Sequence, residues 1–149
     1  MTINEPRVMR KDRGFTIVEL LIVIVVIAIL AVIVIVAYNG VQNRSKSSSS
    51  RSTAQAVQSK SEAYYVENGA YPTLLANLTT AASNTSYYLG GITFSATDPT
   101  SASTTNTVSY YTCTGGGNKI GYYDYAGGAV AYTYTMPANS LSTCARTAS

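Results

Sequence analysis

From Leu20 to Ala37 the chain runs through 18 consecutive apolar residues, twelve of them Val or Ile. That composition favours strand in water. The run is far longer than a strand, which seldom exceeds ten residues, and it matches the length a helix needs to cross a hydrocarbon core. In lipid the backbone must satisfy its own hydrogen bonds, and a lone segment does that only as a helix. The sequence therefore predicts a membrane helix over 15–37. What is left for folding in water is small.

The chain has 149 residues and a formal charge of +3, spread unevenly. Arg7, Arg10, Lys11 and Arg13 precede the apolar run, and Arg44, Lys46 and Arg51 follow it. These cations are diffuse and not interleaved with aromatic residues, so nucleic acid is not expected as the primary ligand. With four Lys or Arg before the helix and three soon after it, the positive-inside rule barely chooses an orientation. Histidine is absent, which excludes His-based metal sites and Ser-His or Cys-His nucleophile pairs. No catalytic residue, metal or cofactor is expected. Cys113 and Cys144 read as one disulfide formed outside the cytosol, the other reading being two unpaired buried thiols.

Residues 1–14 are polar and need no fold of their own. Tyr38 suits a membrane interface, whereas Asn39-Gly40 is a turn signal in water. Ser45 to Thr53 (SKSSSSRST) forms helix poorly and could equally be a linker. A modest helical period returns with Ala54, Val57, Tyr64 and Tyr65, and Asn68-Gly69 supplies a stop. Taken as one helix from Phe15 to Glu67, this is 53 residues, roughly 80 Å. A short second helix capped by Thr73 is expected around Leu74, Leu75 and Leu78, then a strand at Ile92 to Ser95. Val108 to Thr114, Ile120 to Tyr125 and Ala129 to Thr135 read as a three-stranded antiparallel meander that ends before Pro137. Gly115, Gly117 and Gly121 fit no phosphate-loop spacing and read as residues of the turns between strands.

Glu19 places a carboxylate near the start of the apolar run. An acid inside a membrane helix costs on the order of 3 kcal/mol; the alternative is that it snorkels to the interface. If the chain were cut after Gly14, Phe15 would carry a free α-amine, charged at neutral pH, at i and i+4 with Glu19. An amine beside a carboxylate in low dielectric fixes register between packed helices. On this reading Glu19 has no partner in its own helix before the cut.

Arg13-Gly14-Phe15-Thr16, Glu19 and the apolar run together resemble the processing signal and N-terminal helix of type IV pilins and pseudopilins. Tyr64-Tyr65-Val66-Glu67-Asn68-Gly69-Ala70-Tyr71-Pro72 resembles the segment that closes the first helix in many members. The resemblance implies an α+β fold: a long N-terminal α-helix whose first half is embedded in the membrane and whose second half packs on a small antiparallel β-sheet. It divides the chain into a cleaved leader (1–14), a transmembrane and filament-core helix (15–37), the second half of the helix (38–68) and a head with a disulfide-bounded C-terminal loop (69–149).

It also implies that a prepilin peptidase cuts between Gly14 and Phe15 and that Phe15 is N-methylated. Glu19, with Thr16 in the same motif, would guide docking of the next subunit, and Cys113 and Cys144 would form the pilin disulfide. The implied partners are further copies of the chain in a helical homopolymer, the membrane before assembly, an inner-membrane platform protein and an assembly ATPase. The implied location is the cytoplasmic membrane, crossed once with the C-terminus outside, and then an extracellular pilus. Two other readings remain. One is a pseudopilin of a secretion or DNA-uptake system; major secretion pseudopilins tend to bind calcium and lack the disulfide, and here only Asp98 and Asp124 follow the first helix as carboxylates. The other is a single-pass anchored binding module in which Asn39-Gly40 and SKSSSSRST break the helix.

Overall fold

The computed structural model describes residues 14–80, 82, 84–138 and 142–147. The expected leader, with Arg7, Arg10, Lys11 and Arg13, lies outside them except for Gly14. The chain divides between Tyr38 and Asn39 into two compact units.

In the first unit the helix α1 (Ile17–Asn68) begins. Every residue from Gly14 to Tyr38 is exposed, including Leu20, Leu21, Ile22 and the Val and Ile residues that follow. Among the described residues, α1 is the helix long and apolar enough to cross a membrane. So much uncovered apolar surface is costly in water, and lipid or other apolar helices would relieve it.

The second unit contains the rest of α1 and a mixed sheet. Asn39-Gly40 and Ser45 to Thr53 are helical, against the linker alternative. Ser50, Ala54, Val57 and Ser61 are its buried residues, spaced 4, 3 and 4 apart, which is one stripe on a 3.6-residue helix. Small side chains let the helix backbone lie close to what it covers. Thr53 turns its hydroxyl back on the helix, donating to the Ser49 carbonyl, a bond that adds no helix stability of its own, so burial of the stripe is what holds this weakly helical segment. The helix stops where Gly69 takes φ +72° and donates its N–H to the Tyr65 carbonyl at 2.8 Å, a left-handed cap that glycine adopts freely.

After α1 come a single-turn helix α2 (Ala76–Thr79) and strands β1 (Thr93–Phe94), β2 (Thr107–Cys113), β3 (Asn118–Asp124), β4 (Ala129–Tyr134) and β5 (Cys144–Arg146). Leu75, rather than Thr73, precedes α2, and no side chain caps it. The predicted meander is present: β2 pairs antiparallel with β3, and β3 with β4. Two strands make the sheet larger and mixed. β1 pairs parallel with β2 at Thr93↔Thr107 and Phe94↔Val108, while β5 pairs antiparallel at Tyr111↔Arg146 and Cys113↔Cys144. A strand has two edges and β3 occupies one, so β1 and β5 share the length of the other.

Alternation along the strands sorts the residues into two faces. Val108, Tyr110 and Ile120 join Ala54, Val57, Leu75, Leu78 and Leu89 in one buried cluster. Full burial of a side chain such as Leu78 stabilises by about 1.5–3 kcal/mol. Tyr110 is 1% exposed, and its hydroxyl meets that of Ser61 at 3.2 Å and donates to the Pro72 carbonyl at 3.3 Å. Burial pushes the Tyr110 phenol far above its ordinary range, despite the bond to Ser61. The opposite face carries Ser109, Tyr111, Lys119, Gly121 and Tyr132.

Gly121 lies inside β3, not in a turn as its sequence context suggested. A Cβ there would stand 2.4 Å from Ser109 Oγ and 3.0 Å from the Tyr132 ring. The glycine leaves room for Tyr132 to cross the sheet.

Candidate processing and assembly site

Thr16, immediately before α1, and Glu19, in its first turn, hold each other reciprocally. The Thr16 backbone N–H and hydroxyl donate to Glu19 Oε2 at 3.1 and 3.2 Å, and the Glu19 backbone N–H donates to Thr16 Oγ1 at 3.2 Å. This is a capping box: the N-cap hydroxyl and the third-residue carboxylate satisfy two of the donors that a helix start leaves open. A carboxylate in the first turn also suits the helix dipole. The signal was present in the sequence as Thr16-Ile17-Val18-Glu19, and it corrects the expectation that Glu19 has no partner in its own helix before the cut, since the N-cap residue is that partner.

The cap also corrects where the helix begins. α1 starts at Ile17, so Phe15 is not helical. Phe15 and Glu19 therefore do not form an i, i+4 pair along one helix. Phe15 is 85% exposed and shares a shallow hollow with Glu19, Leu20 and Val23. Gly14 precedes it in irregular backbone, and a Cβ at Gly14 would meet nothing within 4 Å. The Gly14–Phe15 bond thus lies in non-helical, exposed chain two residues ahead of the helix. Hydrolysis of a peptide bond needs access of this kind.

The cysteines belong to the second unit. Cys113 and Cys144 are cross-strand partners of β2 and β5 and are joined by a disulfide. The same short strand carries Arg146, whose guanidinium pairs with Asp98 at 3.4 Å and also donates to the Ala96 carbonyl and the Tyr111 hydroxyl. Asp98 further accepts from Ser109 at 2.7 Å, from Tyr111, and from Tyr132 at 2.9 Å. Burial alone would raise the Asp98 carboxyl, but the hydroxyl donors and the Arg146 charge hold it below the usual carboxylate range. Lys119 lies over the rings of Tyr111 and Tyr132 at 4.3 and 4.2 Å, in cation–π range. No sequence signal pointed to this cluster, because its members come from β2, β3, β4, β5 and the loop after β1.

The other head carboxylate, Asp124, accepts from Ser47 Oγ at 2.6 Å and from the Ala126 N–H at 3.0 Å. It closes the β3–β4 turn and ties it to α1. These bonds, the one from Ser47 foremost, lower the Asp124 carboxyl. Among the described residues no group of three or more His, Cys, Asp or Glu could hold a metal ion.

Residues 9–35 match the family model described as the prokaryotic N-terminal methylation motif. No curated protein and no solved structure matches the chain. The matched stretch includes Gly14, Phe15, Thr16 and Glu19 and most of the apolar run. Over that stretch the chain carries the prokaryotic N-terminal methylation motif, the signature of type IV pilins and their precursors.

Proposed function

We propose that this chain is the precursor of a structural subunit of an extracellular type IV pilus-like filament. A prepilin peptidase cuts between Gly14 and Phe15 and methylates the new amine. The apolar half of α1 holds the subunit in the cytoplasmic membrane, with its C-terminus outside, until the platform protein and ATPase add it to the filament. The methylation motif over residues 9–35 carries this reading.

The geometry refines the part played by Glu19. After the cut, only Phe15 precedes the N-cap, so the amine sits one residue from the Thr16–Glu19 pair. Among the described residues Glu19 Oε1 accepts no bond. Oε2 is held by Thr16 while Oε1 is available to an incoming subunit's amine. The disulfide between β2 and β5 supports a pilin over a secretion pseudopilin, which tends to lack one. Mass spectrometry of the mature chain tests the reading: an N-methylated Phe15 is expected, and an intact Met1 or an unmodified start elsewhere would overturn it.

A further inference from the structure

The charges on the second half of α1 are segregated along its axis. Arg44, Lys46, Arg51 and Lys60 come first, and Glu62 and Glu67 last. Among the described residues none of them forms a salt bridge; the ion pair there is Arg146 with Asp98. Lys46 lies over the Tyr125 ring and Lys60 donates to the Ser86 carbonyl at 2.5 Å. Among the described residues Glu62 accepts only from Gln58, and Glu67 only from the Ser86 hydroxyl. Arg44 and Arg51 are exposed and have no partner among the described residues. Arg51 borders the same hollow as Asp124, but that carboxylate is taken by Ser47 and Ala126.

Two parallel copies side by side at one level would set like charges against like. Shifting one along the axis sets acid against base. Helix geometry then selects the acid. An open-ended row of identical subunits needs a heterologous contact, in which one flank of a copy meets the opposite flank of the next. At about 100° per residue, Glu62 stands only about 20° around the helix from Arg51, whereas Glu67 stands about 160° around it and roughly 24 Å along it. Arg44, seven residues before Arg51, shares the arginine flank.

We infer that the Arg44–Arg51 flank of α1 docks on Glu67 of a second copy lying parallel and axially staggered. The inference rests on the filament reading above and adds the head-side contact that sets the stagger. The Ser86 hydroxyl keeps Glu67 in place for it, and the cost of separating charge along one helix is recovered between copies.

Charge reversal in the full chain tests this, with filaments sheared from producing cells and the membrane pool measured by immunoblot. Arg51→Glu and Glu67→Arg are each expected to lower filament yield several-fold while leaving the membrane pool and the disulfide unchanged. The double variant should recover most of the yield, and Glu62→Arg should behave as wild type. Wild-type yield from both single variants, or no recovery in the double, would overturn the contact. So would a loss in Glu62→Arg equal to that in Glu67→Arg. Absence of filaments from the wild-type chain would sink the filament reading itself, and this contact with it.

Discussion

Thr16 closes a reciprocal pair of hydrogen bonds with Glu19, three residues on, so the first turn of α1 is capped by the very carboxylate that the methylation motif contributes. The carboxylate thus serves the start of its own helix. Losing such a cap costs typically about 1 kcal/mol, small against the insertion of an 18-residue apolar run.

Glu19→Ala is therefore expected to insert in the membrane at wild-type levels while filaments are lost or sharply reduced. Thr16→Val, which removes only the hydroxyl bonds, should reduce filaments less than Glu19→Ala, and Thr16→Ser should restore them. Fractionation and filament shearing read both effects. Normal filament yield from Glu19→Ala would remove the assembly role.

Reduction of Cys113–Cys144 frees β5, which keeps only three register pairs with β2. In the entropic model a loop of this length contributes about 3.7 kcal/mol. Limited proteolysis of the full chain with reductant should cut first around the C-terminal loop. Equal cleavage with and without reductant would show that the sheet holds β5 unaided.

Asp98 makes the head acid-sensitive. Its folded carboxyl lies below its unfolded value, so the associated stability is present above the unfolded pKa, near 3.9, and fades as pH falls through the lower folded value. Thermal melts should show Asp98→Asn less stable than wild type at neutral pH, with the gap narrowing below about pH 4. A gap that stayed constant down through that range would mean the charge of Asp98 contributes nothing.

Gly121→Ala places a methyl group against Ser109 Oγ and the Tyr132 ring. Overpacking of this kind typically costs about 1–3 kcal/mol. The same substitution at Gly69, where nothing lies within 4 Å, meets no clash and is penalised only through its positive φ. Denaturant midpoints should rank Gly121→Ala as the more damaging; the reverse order would show that Tyr132 swings aside at little cost.

Much of the architecture is legible in the sequence because it is decided locally. An 18-residue apolar run has one workable backbone in lipid, Asn68-Gly69 ends a helix through the conformational freedom of glycine, and alternating Tyr, Thr and Val runs between glycines make hairpins. The capping box was legible too, as Thr-x-x-Glu, once the helix start is placed at Ile17 rather than Phe15.

Other features depend on residues distant in sequence. SKSSSSRST reads as a poor helix until Ser50 and Ala54 are buried in one seam with Val57 and Ser61, where small size outweighs propensity. A strand as short as β5 has no pattern of its own and forms because β2 offers it an edge and a disulfide holds it there, whereas β1 falls within the strand expected at Ile92 to Ser95 and only its parallel pairing was not legible. Asp98 shows nothing in its own neighbourhood and becomes a hub only when Ser109, Tyr111, Tyr132 and Arg146 converge on it. By itself the sequence determined the membrane-length helix, its methylation motif and the meander, all set by residues close together in the chain. Only the tertiary structure decided strand β5, the parallel pairing of β1 with β2, the serine seam and the Asp98 cluster, because burial and pairing across long chain separations override local preference.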